Sequence, residues 1–293
     1  MIRNILKIKE MKKIRLILTI LCIMAAFLLS CEDVIEIDLN SVDPKIVIEA
    51  NITDNSGPYL VKLSKTDDYF KPNEFEKITN AFVVISDNCG VIDTLFEGEP
   101  GIYYTSKIQG IPENTYTLRV TINGDEIIAT STMPEKIELQ QINYTYTLAP
   151  TPHDEDGYRL KCEFQDPKVA ENYYRFKVYK NDTLYYENKF DIYLWDDKFF
   201  NGNYVDLAVK RRGTFPLKIN DSMRIELLSY NEETYMYYTT LVNSITEYTG
   251  MDMIHSMMMG SFAPANPETN FSFKVVGYFA AYCVSEKDIV IEE

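Results

Sequence analysis

From Pro44 to Glu135 the chain runs in short apolar or alternating segments, KIVIEA, YLVKLS, AFVVISD, VIDTLF, GIYYTS, TYTLRVT and EIIATST, punctuated by Asn, Asp, Gly and Pro. Side chains of a strand point alternately to its two faces, so this period of two, cut by turn residues at short intervals, predicts a small β-sandwich. Asn123-Gly124, between TYTLRVT and EIIATST, is a hairpin turn signal because both residues tolerate positive φ. Met133-Pro134-Glu135 marks a boundary, since proline cannot donate to a strand ladder. Beyond it the segments lengthen: IELQQINYTYTL, YRLKCEF, NYYRFKVYK, TLYYENKFDIYLW and RIELLSY, with a turn at Asn181-Asp182 and two closing strands, NFSFKVVGYFAAYCV and DIVIEE. The expectation is a mainly β chain, with a sandwich over 44–135 and a second β-rich domain over 136–293 that a strand from the far C-terminus ties shut. The 22 tyrosines first of all fit pleated, half-buried surfaces, and only second an aromatic binding face.

One helix stands out, at about 231–249. Asn231 can cap its start, Glu232 and Glu233 favour the positive end of the macrodipole, and Gly250 closes it. Tyr235, Tyr238, Leu241, Val242, Ile245 and Tyr248 recur at helical spacing, which predicts that this stripe packs on a sheet.

The N-terminus carries a different message. In residues 11–31, MKKIRLILTILCIMAAFLLSC, a basic segment precedes an apolar run from Leu16 to Leu29 and the small-residue pattern Leu28-Leu29-Ser30-Cys31. The run is shorter than the ~20 residues a spanning helix needs, so 1–30 reads as a signal peptide, with Met11 the expected start and Cys31 the lipidated first residue of the mature chain. Residues 31–43 then form an acidic tether. Residues 1–30 hold six of the 29 basic residues and one of the 44 acidic ones, so the remainder carries a formal net charge of −20. Such a body repels nucleic-acid phosphates, and nucleic acid is not an expected partner. Cys89, Cys162 and Cys283 are widely spaced and without a C-x-x-C pair, which predicts free and largely buried thiols.

Catalytic motifs do not emerge. There is no H-E-x-x-H, G-x-S-x-G or phosphate-binding glycine loop, and the histidines are His153 and His255 alone. Asp67-Asp68, Asp154/Asp156 and Asp196-Asp197 carry little weight as acid–base pairs in so acidic a chain. Lys210-Arg211-Arg212 reads as a solvated face before an anion site. Met251, Met253, His255, Met257, Met258 and Met259 make a soft donor set that would suit Cu(I), but methionine is also the adaptable filler of apolar gaps, and packing is the expected role. No catalytic residue, cofactor or metal is expected.

Taken in order, the lipobox cysteine, KIVIEANITDNSGPYLVKLSKTDDYF, AFVVISD, GIYYTS, TYTLRVTINGDEIIATSTMPEKIEL, the helix EETYMYYTTL and PANPETNFSFKVVGYFAAY resemble the Bacteroidota outer-membrane lipoproteins grouped as domain of unknown function 4249. The resemblance implies an immunoglobulin-like or transthyretin-like front domain, a second β-rich domain, and genes often beside a TonB-dependent outer-membrane receptor; it carries over Cys31 alone as a site. The resulting expectation is a non-enzymatic, lipid-anchored outer-membrane accessory or capture protein of a TonB-dependent import system, exposed at the cell surface given Glu32 and Asp33 after the lipid. A structural or adhesive envelope lipoprotein, an envelope hydrolase and a copper-binding protein are the other readings.

Overall fold

The computed structural model describes residues 44–66, 75–148, 156–168, 171–185, 192–210, 214–245, 270–271 and 275–292. Residues Asp43–Glu293 form one compact unit, mainly β with one α-helix among the described residues. Its frame is a nine-stranded sheet ordered β12-β11-β15-β16-β1-β2-β6-β5, with β13 added on β11. These strands are β1 (Ile46–Thr53), β2 (Leu60–Lys65), β5 (Phe96–Glu99), β6 (Ile102–Tyr104), β11 (Tyr173–Lys180), β12 (Thr183–Leu184), β13 (Tyr193–Asp196), β15 (Ser222–Tyr230) and β16 (Val276–Val290). Two smaller sheets join it: β4-β3-β7-β8, from Ile92–Thr94, Phe82–Asp87, Thr115–Ile122 and Asp125–Thr132, and β14-β10-β9, from Tyr204–Ala208, Gly157–Gln165 and Leu139–Thr147.

The alternation explains the layers. Ile48, Ala50 and Ile52 of β1 face Val83, Ile85, Leu118, Val120 and Ile127 of the four-stranded sheet across a first core that closes on Met133. The core also draws in Phe279, Ala281 and Cys283 of β16, from outside residues 44–135, and its hairpin turns as the sequence indicates, with Asn123 at φ 52 and Gly124 at φ 94. A second core begins at Ile137 and packs Leu160, Cys162 and Phe164 of β10 against Phe176, Val178, Ile225 and Leu227 of the large sheet. The segment between the cores is pinned by polar groups: Ile137 and Leu139 donate their N–H to Ser229 Oγ (3.3 Å) and Ser285 Oγ (2.9 Å), and Lys136 pairs with Asp54 at 2.9 Å.

β16 connects the whole. The sequence suggests two strands at the tail; the structure has one of 15 residues, continuous through Ser285–Asp288 because that polar stretch stays paired with β15. Its first half runs parallel to β1 and its second half antiparallel to β15. The parallel pairing requires close approach, since Gly277 sits at φ 104 where a Cβ would lie 2.0 Å from Ile48 O. Elsewhere TLYYENKFDIYLW divides into β12 and β13, and VIDTLF into β4 and β5, where single strands were expected.

The helix, α1 (Glu232–Ile245), starts where the sequence places it. Asn231 Oδ1 accepts the Thr234 N–H at 2.9 Å, and Asn231 O accepts Tyr235 N–H at 3.1 Å. Residues 246–249 of the expected span lie outside the described residues. α1 covers the face of the large sheet opposite the two cores, through Tyr235, Tyr237 and Tyr238 against Tyr173, Leu228, Tyr230, Tyr278 and Tyr282.

Candidate functional site

On β16 the residues of one face, Phe279, Ala281 and Cys283, enter the first core; those of the other face, Tyr278, Ala280 and Tyr282, look towards α1. The pairing register brings Glu49 of β1 beside Tyr278 and Asn51 beside Ala280, and sets Lys62 of β2 beside Glu49. Among the described residues, α1 stands at one side of this end of the sheet. Its Tyr237, Tyr238 and Leu241 form one wall of an open cleft of about 380 Å³, whose floor is Glu49, Ala50, Asn51, Leu60, Lys62, Tyr278 and Ala280.

The tyrosine wall is held from behind. Arg175, buried to 8% exposure on β11, lies 4.4 Å from the Tyr238 ring centroid and donates Nη1–H to Tyr230 Oη at 3.2 Å. Tyr230 stacks on Tyr238 at 5.4 Å and meets Tyr282 edge-on at 5.2 Å, while Tyr237 tilts against Tyr278 at 4.8 Å. These rings fix one another in the geometries aromatic pairs favour, so the wall exists before any ligand arrives.

Burial pushes the Tyr230, Tyr278 and Tyr282 phenols above their ordinary range, and that of Tyr237 up to about 12. They stay protonated at neutral pH, and none of them is a base there. Tyr278 Oη is buried beside the Thr234 side chain. The cleft thus offers an apolar aromatic wall, an amide at Asn51, and opposite charges at Glu49 and Lys62. That combination suits a ligand with both an apolar face and polar edges.

The residues singled out in the sequence fall elsewhere. Cys31, His153, His255, the methionines of 251–259, Asp67-Asp68, Asp154, Arg211 and Arg212 lie outside the described residues. Lys210 departs from the solvated face expected of it: it is 8% exposed, donates to Thr214 O at 2.9 Å and lies 4.2 Å from the Phe215 ring centroid, since its long apolar stem can be buried while its ammonium finds a carbonyl. Cys162 and Cys283 are buried free thiols as expected, whereas Cys89 is exposed, because it lies in the turn after β3 where Asp87 Oδ1 accepts its N–H. Among the described residues no group of three or more His, Cys, Asp or Glu side chains is arranged to hold a metal ion, and no helix is long and apolar enough to cross a membrane.

The cleft residues themselves were not singled out by sequence. Glu49 and Asn51 were visible only as the outward polar positions of KIVIEAN, and nothing local links them to Lys62, Tyr237 or Tyr278, which come from three other elements. Comparison with curated proteins gave no match. Residues 32–288 match the family described as a domain of unknown function (4249), a span reaching from the residue after Cys31 almost to the end of β16. The sandwich, the second β layer, the helix and the tyrosine cleft therefore all lie within the matched span, and the chain belongs to the domain of unknown function 4249 family.

Proposed function

We propose that this protein is a non-enzymatic capture or accessory subunit of a TonB-dependent import system, anchored to the outer membrane by a lipid on Cys31 and exposed at the cell surface. The observation that carries the binding role is the prebuilt tyrosine cleft, with Glu49, Asn51 and Lys62 along its floor, on a sheet braced from the other side by two cores. Lipid supplies location: the acyl chains hold the body at the membrane, and its net negative charge gives anionic lipid no reason to attract it. The signal-like segment ending at Cys31 supports this reading.

The test is purification of the tagged protein from detergent-solubilised outer membranes, with mass-spectrometric identification of what accompanies it. A stoichiometric TonB-dependent receptor is expected, and Cys31→Ala should move the protein out of washed membranes. Recovery of Cys31→Ala in the membrane fraction overturns the anchor. Purification of the wild type with no receptor overturns the transport role and favours a structural or adhesive one.

A further inference from the structure

Away from the cleft, three segments meet at the ends of β10, β11 and β13. The turn after β13 closes on Asp197 O, which accepts N–H groups from Phe200 (2.8 Å) and Asn201 (2.9 Å). Asp166, just past β10, holds this turn from one side: Gly202 N–H donates to its Oδ2 at 2.7 Å, and its own N–H donates to Asn203 O at 3.0 Å. Asn172, just before β11, holds it from the other, its carbonyl accepting Asp197 N–H at 3.1 Å. Tyr174 donates its hydroxyl to Asp166 Oδ1.

Two carboxylates are buried here, Asp166 and Asp197 each at 1% exposure. Two oxygens have no partner among the described residues: Asp197 Oδ2 and Asn172 Oδ1, both shielded from solvent. Both are acceptors, so what the cluster lacks is positive charge or donors. The surrounding ammonium groups do not supply it: Lys198 pairs with Asp196 at 3.3 Å, and the Lys168 stem lies over Gly202.

We propose that this cluster is a Ca²⁺ site, in which Asp166, Asn172 and Asp197 supply carboxylate and amide oxygens to an ion that fastens the 197–203 turn to β10 and β11. The donors are all hard oxygens, with neither imidazole nor sulfur, which selects against copper and zinc. They come from irregular segments rather than a rigid octahedron, which favours Ca²⁺ over Mg²⁺. With two carboxylates the affinity belongs to the weak range of extracellular modules, a Kd of about 10⁻⁴–10⁻³ M.

The site carries its own optical probe. Trp195 is the only tryptophan of the chain and pairs in register with Tyr174, whose hydroxyl binds Asp166. Terbium, which replaces Ca²⁺ at oxygen sites, should show saturable luminescence when Trp195 of the detergent-purified mature protein is excited. Ca²⁺ should displace it, equal Mg²⁺ should not, and Asp197→Asn should weaken terbium binding about tenfold or more. Trp195→Phe should abolish the sensitised emission while the increase in melting temperature on adding Ca²⁺ remains, which locates the ion even if Asp197→Asn folds poorly. Absence of saturable emission, or emission unchanged in a folded Asp197→Asn, overturns the proposal; a proton on Asp197 or an Asn172 amide turned the other way then satisfies the two oxygens.

Discussion

The two faces of β16 solve opposite problems with the same backbone. Towards the first core it presents Phe279, Ala281 and Cys283, all at 0% exposure among aliphatic neighbours. Towards α1 it presents Tyr278, Ala280 and Tyr282, whose rings are as thoroughly enclosed but whose hydroxyls need company. The first face can be described by volume and contact alone. On the second, each tyrosine brings a polar atom that has to be accommodated: Tyr278 Oη is enclosed beside the Thr234 side chain, and Tyr282 packs edge-on against Tyr230, which itself accepts from Arg175. This contrast separates the part of the sheet that holds the molecule together from the part available for binding.

Truncation of the core face should have the largest effect. Phe279→Ala would open a cavity between the sheets of the first sandwich and lower stability by about 3–5 kcal/mol, measured as a fall in the urea midpoint with an unchanged slope. A loss under about 1 kcal/mol would mean that the core refills easily, and the claimed distinction between the faces would weaken.

Asp93 sharpens the comparison from the polar side. It is wholly buried on β4, yet its carboxylate accepts four hydrogen bonds, from Ser106 N (2.7 Å), Ser106 Oγ (2.9 Å), Lys107 N (2.6 Å) and Ile108 N (3.0 Å). Burial alone would raise its pKa, but the three backbone donors and the Ser106 hydroxyl outweigh it, and the group titrates below its ordinary range. A depressed folded-state pKa gives stability that is fully present above the unfolded value, about 3.9, and is lost as pH falls through the folded value. Asp93→Asn should therefore cost about 2–3 kcal/mol at neutral pH, and the gap from wild type should narrow below about pH 4. A gap independent of pH would show that the loss comes from packing rather than from the charge.

Much of the framework was legible because it is local. Alternation placed the strands of the first sandwich, Asn123-Gly124 its hairpin, and Asn231 with two glutamates the start of α1, since each depends on residues within a few positions of one another. What was not legible depends on distant partners. The tail reads as two strands, NFSFKVVGYFAAYCV and DIVIEE, with Ser285, Glu286 and Lys287 between them; these three remain in β16 because β15 supplies the hydrogen bonds. The parallel pairing of β1 with β16 joins segments more than 200 residues apart, and Gly277, which permits it, looks like any other glycine in the sequence. The cleft inherits this difficulty, for its floor is made by that pairing. Asp196-Asp197 was noticed as a carboxylate pair, but its significance depends on Asp166 and Asn172, which only the turn after β13 brings near.

The smallest effect on stability separates the two faces most sharply. Tyr278→Phe removes one oxygen and leaves the ring to pack on Tyr237 as before. The oxygen is enclosed beside the Thr234 side chain, so its removal should lower stability by no more than about 1 kcal/mol. Capture of the ligand or receptor should stay as it is, because the cleft meets the ring of Tyr278 and not its enclosed oxygen. Measured side by side, unchanged capture with a nearly unchanged melting temperature assigns binding to the ring wall and its polar edge at Glu49, Asn51 and Lys62. Reduced capture at an unchanged melting temperature would mean that the oxygen reaches the ligand, and the wall would then bind as a donor rather than as an apolar face.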